Sequence, residues 1–238
     1  MQNLTWTYIL LCWIIILGCK DQPNTVVKKV DAELIVDVPV IASDTQDALV
    51  QNIDYDTTAW KELTVAQGFI LDLRYSTTNN FTDSIIYPCG RCFLRPRLAS
   101  IILSLNNELQ KSHNYAIKLY DCYRPLPAQQ RLWDIVPDAT YVANPAKGSM
   151  HNRGSAVDLS FVNLKTGQEL NMGTDFDHFG RESRHSYLDL PQEAIDNRLF
   201  LKKQLEDRGL QSIKSEWWHY SLRGTGRPLS DWQWPCPS

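Results

Sequence analysis

The stretch that decides the fold is Ser-Met-His-Asn-Arg-Gly-Ser-Ala-Val-Asp, residues 149–158. Its second half opens an alternating apolar segment at 156–162, which predicts a β-strand with Asp158 on the face opposite the apolar side chains. Gly154 lets the preceding loop bend, so that His151 and the carboxylate of Asp158 can meet at one point. An imidazole and a carboxylate brought together in this way are candidate metal ligands.

A second short motif near the C-terminus, Glu216-Trp217-Trp218-His219, supplies the remaining groups of a hydrolytic site. Two imidazoles and one carboxylate suit a catalytic zinc whose fourth position holds water, and Glu216 is where a general base for that water is expected. Residues three apart on a regular strand point to opposite faces, so the backbone must bulge or turn between Glu216 and His219. The structural alternative is a core strand in which Trp218 packs inward and Glu216 is solvated.

Hydrophobic periodicity predicts an α+β fold. The pattern indicates strands at 69–75, 116–121, 156–162 and 217–222, and helices at 96–112, 127–135 and 191–208, the last ended by Gly209. Strands and helices that follow one another without strict β-α alternation favour a single domain with a mostly antiparallel central sheet flanked by helices.

The N-terminal segment predicts export. Residues 8–18 form an apolar run that is right for a signal-peptide core, and Leu17-Gly18-Cys19 resembles the lipobox of bacterial lipoproteins, which predicts lipidation at Cys19. Residues 1–7 contain no Lys or Arg, so a plain signal peptide or an uncleaved anchor stays open. We expect a signal peptide at 1–18, a tether at 19–55 with a short strand at 33–38, and the folded domain at 56–238.

Composition and cysteine content limit the kinds of partner and the kinds of cysteine site that the chain can have. The chain has 238 residues, 43% of them hydrophobic, and a net charge of −3, so it has no basic footprint for nucleic acid. The mature chain keeps Cys89, Cys92, Cys122 and Cys236, an even number that suggests disulfides in an oxidising compartment. A zinc knuckle or a redox motif at Cys89–Cys92 is disfavoured, because no second C-x-x-C and no thioredoxin-like context accompanies it. The spacing leaves the pairing open.

Together the motifs resemble a known family. Ser-x-His-x-x-Gly-x-Ala-x-Asp followed by Glu-x-Trp-His is similar to the zinc D,D-peptidases, and in particular to the D-alanyl-D-alanine dipeptidases of the vancomycin-resistance type. The resemblance covers about residues 60–225 and includes four further stretches: 72–75 (Asp-Leu-Arg-Tyr), 80–82 (Asn-Phe-Thr), 120–125 (Tyr-Asp-Cys-Tyr-Arg-Pro) and 172–177 (Met-Gly-Thr-Asp-Phe-Asp).

The resemblance implies a zinc peptidase that cleaves D-alanyl-D-alanine. One Zn²⁺ per chain is expected on His151, Asp158 and His219, with Glu216 as the general base. It assigns Arg124 to the negative charge that grows on the carbonyl oxygen; a surface salt bridge is the structural alternative for this arginine.

The resemblance also places Tyr75, Ser149 and Asp177 around the dipeptide, with the carboxylate of Asp177 suited to the free ammonium. Taken singly, these residues are equally compatible with a core tyrosine, a turn serine and a helix-capping aspartate. His178 and His185 lie near the segment that carries Asp177, but lone histidines are more often surface or hydrogen-bonding residues than ligands, so these two and His113 are not assigned as ligands.

Three alternatives to the dipeptidase remain. A D,D-carboxypeptidase or a peptidoglycan endopeptidase shares the zinc and Glu216 but needs an open groove, and Asp177 argues against both. A non-catalytic zinc-bearing binding module is disfavoured by the presence of Glu216 and Arg124. We expect an exported lipoprotein, membrane-anchored and facing the periplasm, that takes part in cell-wall salvage; the sequence leaves the oligomeric state open.

Overall fold

A computed structural model describes residues 54–224 and 226–236, so the expected leader, the strand expected at 33–38 and nearly all of the tether lie outside the described residues. The strands are β1 (Lys61–Leu63), β2 (Ile70–Leu71), β3 (Cys92–Leu94), β4 (Tyr115–Asp121), β5 (Ala156–Asn163), β6 (Gln168–Glu169), β7 (Leu210–Ser212) and β8 (His219–Leu222). The helices are α1 (Pro96–His113), α2 (Leu126–Ile135) and α3 (Gln192–Glu206).

The central sheet has the strand order β2-β4-β5-β8-β7, and β6 pairs with β5 outside that path. β2 runs parallel to β4, whereas the other neighbours in this sheet are antiparallel. β1 and β3 form a separate two-stranded antiparallel sheet. This arrangement confirms the predicted α+β class and the mostly antiparallel sheet.

Helix α1 matches its sequence prediction because both ends carry clear signals. Pro96 occupies the first turn, where its missing N–H costs nothing, and Asn114 ends the helix in the left-handed conformation with φ 55°. The buried Asn106 ties the helix to the sheet: its Oδ1 accepts the Ile117 N–H at 2.8 Å, and its Nδ2 donates to the Gln67 carbonyl at 3.1 Å. Within residues 54–224 and 226–236, none of the helices combines the length and the apolar character needed to cross a bilayer.

Strand β5 lies in the middle of the sheet and is buried on both faces. Leu159 and Phe161 are fully buried on the core face that the sequence predicts, and Asp158 and Ser160 on the opposite face are buried as well. A carboxylate inside such a strand needs charged or hydrogen-bonding partners, because burying an unpaired charge is costly. The surroundings of Asp158 are therefore the place to look for chemistry.

Three predicted elements differ from the observed ones. The strand expected at 69–75 is only Ile70–Leu71, because the chain turns into a 3₁₀ helix at Arg74–Ser76, where the Ser76 hydroxyl donates to the Leu73 carbonyl at 2.7 Å. The strand expected at 217–222 begins only at His219. The helix expected at 191–208 ends at Glu206, and Gly209, with φ 84°, forms the turn into β7.

Two disulfides link distant parts of the chain, Cys89 with Cys236 and Cys92 with Cys122. The first attaches the C-terminal segment, in which Trp232 and Trp234 pack into the aromatic part of the core. The second joins β3 to the residues that follow β4. This pairing answers the question that the cysteine spacing alone left open.

Candidate active site

The loop that carries His151 is shaped by Gly154. His151 opens a 3₁₀ turn, His151–Arg153, which ends at Gly154 in the left-handed conformation with φ 65°. A Cβ at position 154 would lie 2.4 Å from the Trp60 ring, so the site requires glycine for space as well as for conformation. The chain then enters β5 directly, and His151 and Asp158 face the same cavity.

Strand register brings the third predicted ligand beside the second. Asp158 on β5 lies directly opposite His219 on β8, and on its other side it pairs with Asp121 at the end of β4. Directly opposed residues of antiparallel strands have side chains on the same face. Asp121, Asp158 and His219 therefore lie in one row across three neighbouring strands, with their two carboxylates and one imidazole on the same face.

The three predicted metal ligands converge on one point. His219 Nδ1 lies 3.0 Å from both His151 Nε2 and Asp158 Oδ1, and His151 Nε2 lies 3.3 Å from Asp158 Oδ1. Ligand atoms placed tetrahedrally at zinc distances are separated by about 3.3 Å, which is close to this triangle. Among the described residues these three form the cluster of His, Cys, Asp or Glu side chains suited to a metal ion. The donor set therefore fits zinc.

Hydrogen bonds and nearby charges set the tautomer of His151 and the ionisation of Asp158, the states in which these side chains can bind a cation. His151 Nδ1 donates to the Cys122 carbonyl at 2.7 Å, which leaves Nε2 as the ligand atom of the neutral ring. Burial acts to raise the pKa of Asp158, but the charges and hydrogen bonds of His151 and His219 outweigh it and hold the pKa well below its usual range. Asp158 is therefore ionised in the folded protein.

Glu216 reaches the same cavity through irregular backbone rather than a bulge within a strand. The chain bends at Trp217 and Trp218, and β8 begins only at His219. Trp217 is buried and its Nε1 donates to the Thr174 hydroxyl at 2.8 Å, which fixes the bend. Glu216 and His219 both line the cavity, and burial raises the pKa of Glu216. A carboxyl group with a raised pKa is suited to proton transfer.

Arg124 lies in the cavity wall and is buried, so the surface salt bridge considered for it is excluded. Its Nε and Nη2 donate to Asp121 Oδ2 at 3.1 and 2.7 Å, and its Nη1 donates to Gln129 Oε1 at 3.0 Å. Burial alone would lower the pKa of Arg124, but the charge of Asp121 raises it well above its usual value. A guanidinium has five N–H groups, so two remain for a ligand after these three bonds.

The residues expected at the substrate end also line the cavity. The Tyr75 hydroxyl donates to Asp177 Oδ2 at 2.8 Å, although 102 positions separate the two residues. Asp177 has φ 57°, and its loop approaches the 3₁₀ turn that holds Tyr75. The Ser149 hydroxyl lies 3.1 Å from Asn152 Oδ1 and faces the same space. The structure thus brings together all the residues that the sequence assigns to the site.

The cavity has a volume of about 320 Å³ and lies between the metal ligands and the loops that follow β2 and β6. Three of the aromatic rings that border it are in contact: the Phe179 ring stacks on Tyr141 at 4.3 Å and contacts Phe81 at 4.8 Å. These rings belong to three different loops. The geometry is that of a small pocket whose wall contains both the candidate cation site and the Asp177 carboxylate.

Asp121 is the main site residue that the sequence reasoning missed. This buried carboxylate accepts hydrogen bonds from Arg124 and from the Tyr87 hydroxyl, the latter at 2.8 Å, and its Oδ2 lies 3.5 Å from His151 Nδ1. It therefore orients both a metal ligand and the guanidinium. A usable signal was present, because Asp121 lies at the end of a predicted strand, three residues before Arg124.

A second missed residue is Arg198 on α3, which organises the loop that carries Asp177. Its guanidinium donates to the carbonyl oxygens of Met172, at 2.6 Å, and Glu182, at 2.9 Å. No local pattern in the sequence indicates such a long-range contact.

The three remaining histidines take no part in the metal cluster. His178 lines the cavity, but its Nε2 pairs with Glu182 at 3.6 Å. His185 lies near Tyr220, and His113 packs against Phe200 at the end of α1.

Comparisons with known proteins agree with the geometry. Residues 59–236 match the model of the family described as D-ala-D-ala dipeptidase. A D-alanyl-D-alanine dipeptidase of Escherichia coli K12 is 34% identical over 183 residues, which cover 76% of this chain and 94% of the relative. A D-alanyl-D-alanine dipeptidase of Enterococcus faecium is 30% identical over 191 residues, and one of Streptomyces coelicolor is 27% identical over 191 residues. Each of these two matches covers 72% of this chain and 94% of the relative. The chain therefore belongs to the D-ala-D-ala dipeptidase family of metallopeptidases.

Proposed function

We propose that this protein hydrolyses free D-alanyl-D-alanine to two D-alanines, with one zinc ion per chain, as an exported and lipid-anchored enzyme of cell-wall turnover. The family and its curated relatives support the reaction and the zinc requirement. One observation carries the proposal. The His151–Asp158–His219 triangle and the half-buried carboxylate of Asp177 line the same small cavity.

Glu216 and Arg124 supply the chemistry that the chain itself contributes. His151, Asp158 and His219 would hold the zinc, which would supply a Lewis acid for the scissile carbonyl and lower the pKa of a water toward ~7. Glu216 takes the proton of the attacking water and returns it to the departing amine, as its raised pKa favours. Arg124, held by Asp121, donates its two remaining N–H groups as charge develops on the carbonyl oxygen. Because Asp121 fixes the guanidinium beforehand, little reorganisation is needed at that moment.

Asp177 selects a substrate with a free amino group. Burial raises the pKa of Asp177 well above its usual value, although the hydrogen bond from Tyr75 opposes that rise. An ammonium beside the carboxylate offsets the cost of holding its charge away from water. A blocked amine leaves the same carboxylate without a cationic partner, and sites of this kind discriminate strongly against such analogues. The Ser149 hydroxyl, on the same wall, is a further polar contact for the dipeptide.

These features disfavour the sibling activities. A carboxypeptidase or an endopeptidase acts on a chain that continues beyond the position of the ammonium. In this protein Tyr75, Asp177, Phe179 and Tyr141 line the cavity, and we propose that they leave little room for such a chain. A non-catalytic binding module has no use for Glu216 and Arg124 on the wall of the same cavity.

Two further observations support export. The apolar run at 8–18, followed by Cys19, has the form of a lipoprotein leader, with residues 19–55 as a tether. The folded domain holds two disulfides, which form and persist in oxidising compartments. Salvage of cell-wall fragments fits that location better than removal of a cytoplasmic precursor.

The experiment that tests the reaction is D-alanine release by the zinc-loaded protein from free D-alanyl-D-alanine and from its N-acetylated form. We expect cleavage of the free dipeptide alone. In the Asp177→Asn variant, kcat/KM for the free dipeptide should fall about 10- to 100-fold while the zinc content stays at one per chain. Preferential cleavage of the acetylated form would assign the protein to the carboxypeptidases and remove Asp177 from the substrate site.

The anchor has its own test. Replacing the lipid-accepting residue, Cys19→Ala, should move the protein from the membrane fraction to the soluble fraction. An unchanged membrane fraction would refute the lipoprotein assignment and leave the dipeptidase assignment intact.

A further inference from the structure

We infer that Cys122 is a positioning residue for the metal ligand His151, and that the Cys92–Cys122 disulfide makes zinc affinity depend on oxidation of the protein. The inference rests on the zinc site of the proposed function. It concerns how that site is held, and the assignment of its ligands does not depend on it.

The first step is the contact between Cys122 and the ligand. The Cys122 carbonyl accepts the His151 Nδ1–H at 2.7 Å, and the Arg124 N–H donates back to the His151 carbonyl at 3.2 Å. These two bonds fix the ring and the backbone of His151 from the same short segment, 121–124. Partners of this kind set the tautomer and orientation of a metal-bound histidine, and losing one typically costs 10- to 100-fold in metal affinity.

The second step is what holds that segment. The ladder between β4 and β5 is irregular between Leu119 and Asp121, so Cys122 lies beyond the regular pairing. On its other side the segment is tied to β3 by the Cys92–Cys122 bond and by the Tyr123 N–H, which donates to the Phe93 carbonyl at 2.9 Å. β3 belongs to the separate two-stranded sheet. The disulfide therefore fixes the position of the Cys122 carbonyl, which accepts the hydrogen bond of His151, relative to the second sheet.

The third step is burial. Cys92 and Cys122 are 0% and 2% exposed, and the bond between them is part of the core directly behind the metal ligands. Breaking it removes the covalent link between the two sheets at this point. The segment 121–124 is then tied to β3 by the Tyr123 hydrogen bond without the covalent link, so the Cys122 carbonyl and His151 are held less rigidly.

The second disulfide is a natural control. Cys89–Cys236 closes a much longer loop, with a sequence separation of 147 against 30 for Cys92–Cys122. On the chain-entropy account, the longer loop stabilises the fold more. Its contact is with the C-terminal segment, where the Trp234 Nε1 donates to the Cys89 carbonyl at 3.3 Å. The two disulfides should therefore rank in opposite orders for stability and for zinc binding.

A consequence follows for the newly made chain. Before export it is in a reducing compartment, where both disulfides are absent and zinc binding is weak. Thiol–disulfide exchange with an external disulfide oxidant transfers two electrons and two protons from the Cys92 and Cys122 thiols to that oxidant, which leaves as a dithiol, and completes the support of His151. The enzyme thus gains full metal affinity only after reaching an oxidising compartment.

The test is zinc affinity of the full chain, purified in detergent and measured by competition with a chromophoric chelator, with no substrate present. We compare wild type with Cys92→Ala/Cys122→Ala and with Cys89→Ala/Cys236→Ala. The first pair should weaken zinc binding about 10-fold or more, and the second by less than twofold. Thermal unfolding of the zinc-free proteins should show the larger loss for the second pair. Equal losses of affinity, or affinities that follow the order of stability, would overturn the inference.

Two further measurements keep the outcome decisive. If the first pair does not fold, Cys92→Val/Cys122→Ala restores part of the lost core volume and receives the same test. Wild type reduced with a phosphine, which becomes the phosphine oxide with oxygen from water, should also bind zinc more weakly while tryptophan fluorescence reports a folded state. Unchanged affinity in the folded, reduced protein would contradict the inference. A wild type that binds zinc but cleaves no dipeptide would refute the proposed reaction alone.

Discussion

Two groups of residues on the cavity wall, the proposed metal ligands and the proposed substrate contacts, are held in different ways. The metal side, which consists of His151, Asp158 and His219, lies on β5, on β8 and on the turn that enters β5, and backbone pairing sets Asp158 opposite His219. The substrate-end side, Tyr75 and Asp177, lies on two loops that meet only through side chains. A sheet fixes the position of a ligand through its hydrogen-bond ladder, whereas two loops need ion pairs to hold them together. Substitutions on the metal side should therefore cause large losses of activity. Substitutions on the substrate-end side should cause smaller, graded losses.

The largest effect is expected on the metal side. Replacing His219 with alanine removes one of the three proposed ligands, so His219→Ala should lose stoichiometric zinc and reduce dipeptide hydrolysis by more than ~10³-fold. Metal analysis after dialysis and D-alanine release measure the two losses. Retention of one zinc per chain would contradict the assignment of His219 as a ligand.

A smaller effect is expected from replacing Arg124, whose guanidinium lies in the cavity wall. Arg124→Lys keeps the charge beside Asp121 but loses the planar fork that donates to both Asp121 and a ligand. We expect kcat to fall about 10²- to 10³-fold, or roughly 3–4 kcal/mol, with the zinc content unchanged. Steady-state kinetics with zinc analysis on the same sample separates the two. Unaltered kcat would remove Arg124 from the reaction.

The substrate-end side should be sensitive to the ion pairs that join its loops. Arg74, which precedes Tyr75, donates to Asp72 at 2.9 Å and to Asp175 at 3.2 Å, and Asp175 lies two residues before Asp177. Arg74→Ala should raise KM for the free dipeptide roughly tenfold, or ~1.4 kcal/mol, and change kcat less than twofold.

Arg91 provides a matched control for Arg74. It also bridges two carboxylates, Asp54 at 2.9 Å and Glu62 at 2.8 Å, but away from the cavity. Arg91→Ala should leave KM unchanged. An equal rise of KM in both variants would mean that Arg74 acts only through general stability, and the distinction between the two sides would fail.

The smallest effect concerns pH and the loop that follows Asp177. Burial, with the nearby charges of Lys202 and Arg198, lowers the pKa of His185 from 6.5 to about 4. The unfolded chain therefore binds a proton at His185 that the folded chain does not bind between these two values. This contribution to stability is complete above pH 6.5 and is lost as the pH falls toward 4.

Urea unfolding between pH 7.5 and 4.5 measures this dependence. His185→Gln should flatten it, and the exposed His113→Gln should leave it as in wild type. The same slope in His185→Gln and wild type would show that another group carries the pH dependence.

The contrast between the two sides also explains what could be predicted from the sequence. Because His151 and Asp158 are seven residues apart, with a glycine and the start of a strand between them, a short pattern was enough to predict their approach. His219 belongs to the second short motif, and the pairing of β5 with β8 places it opposite Asp158. The α+β class and α1 were predicted correctly because periodicity and end signals are local properties.

The parts that were missed depend on side-chain contacts, which hydrophobic periodicity does not indicate. The strand predicted at 69–75 was wrong after Leu71, because side-chain to backbone bonds turn the chain at Ser76 and give Tyr75 its position. The support from Asp121 and Arg198 joins elements that are far apart in the chain. Asp121 could have been noticed at the end of a predicted strand, three residues before Arg124, whereas no local pattern indicates the contact of Arg198 with Met172, 26 positions away.

The most direct test of the central claim is to measure bound zinc and D-alanine release on the same sample of Glu216→Gln. The claim is that zinc binding belongs to the triangle on the sheet, and that Glu216, on irregular backbone beside it, moves the proton. We predict one zinc per chain, as in wild type, with hydrolysis of free D-alanyl-D-alanine reduced about 10²- to 10⁴-fold. Loss of zinc together with activity would mean that Glu216 is a ligand, and unchanged activity would mean that another group is the base.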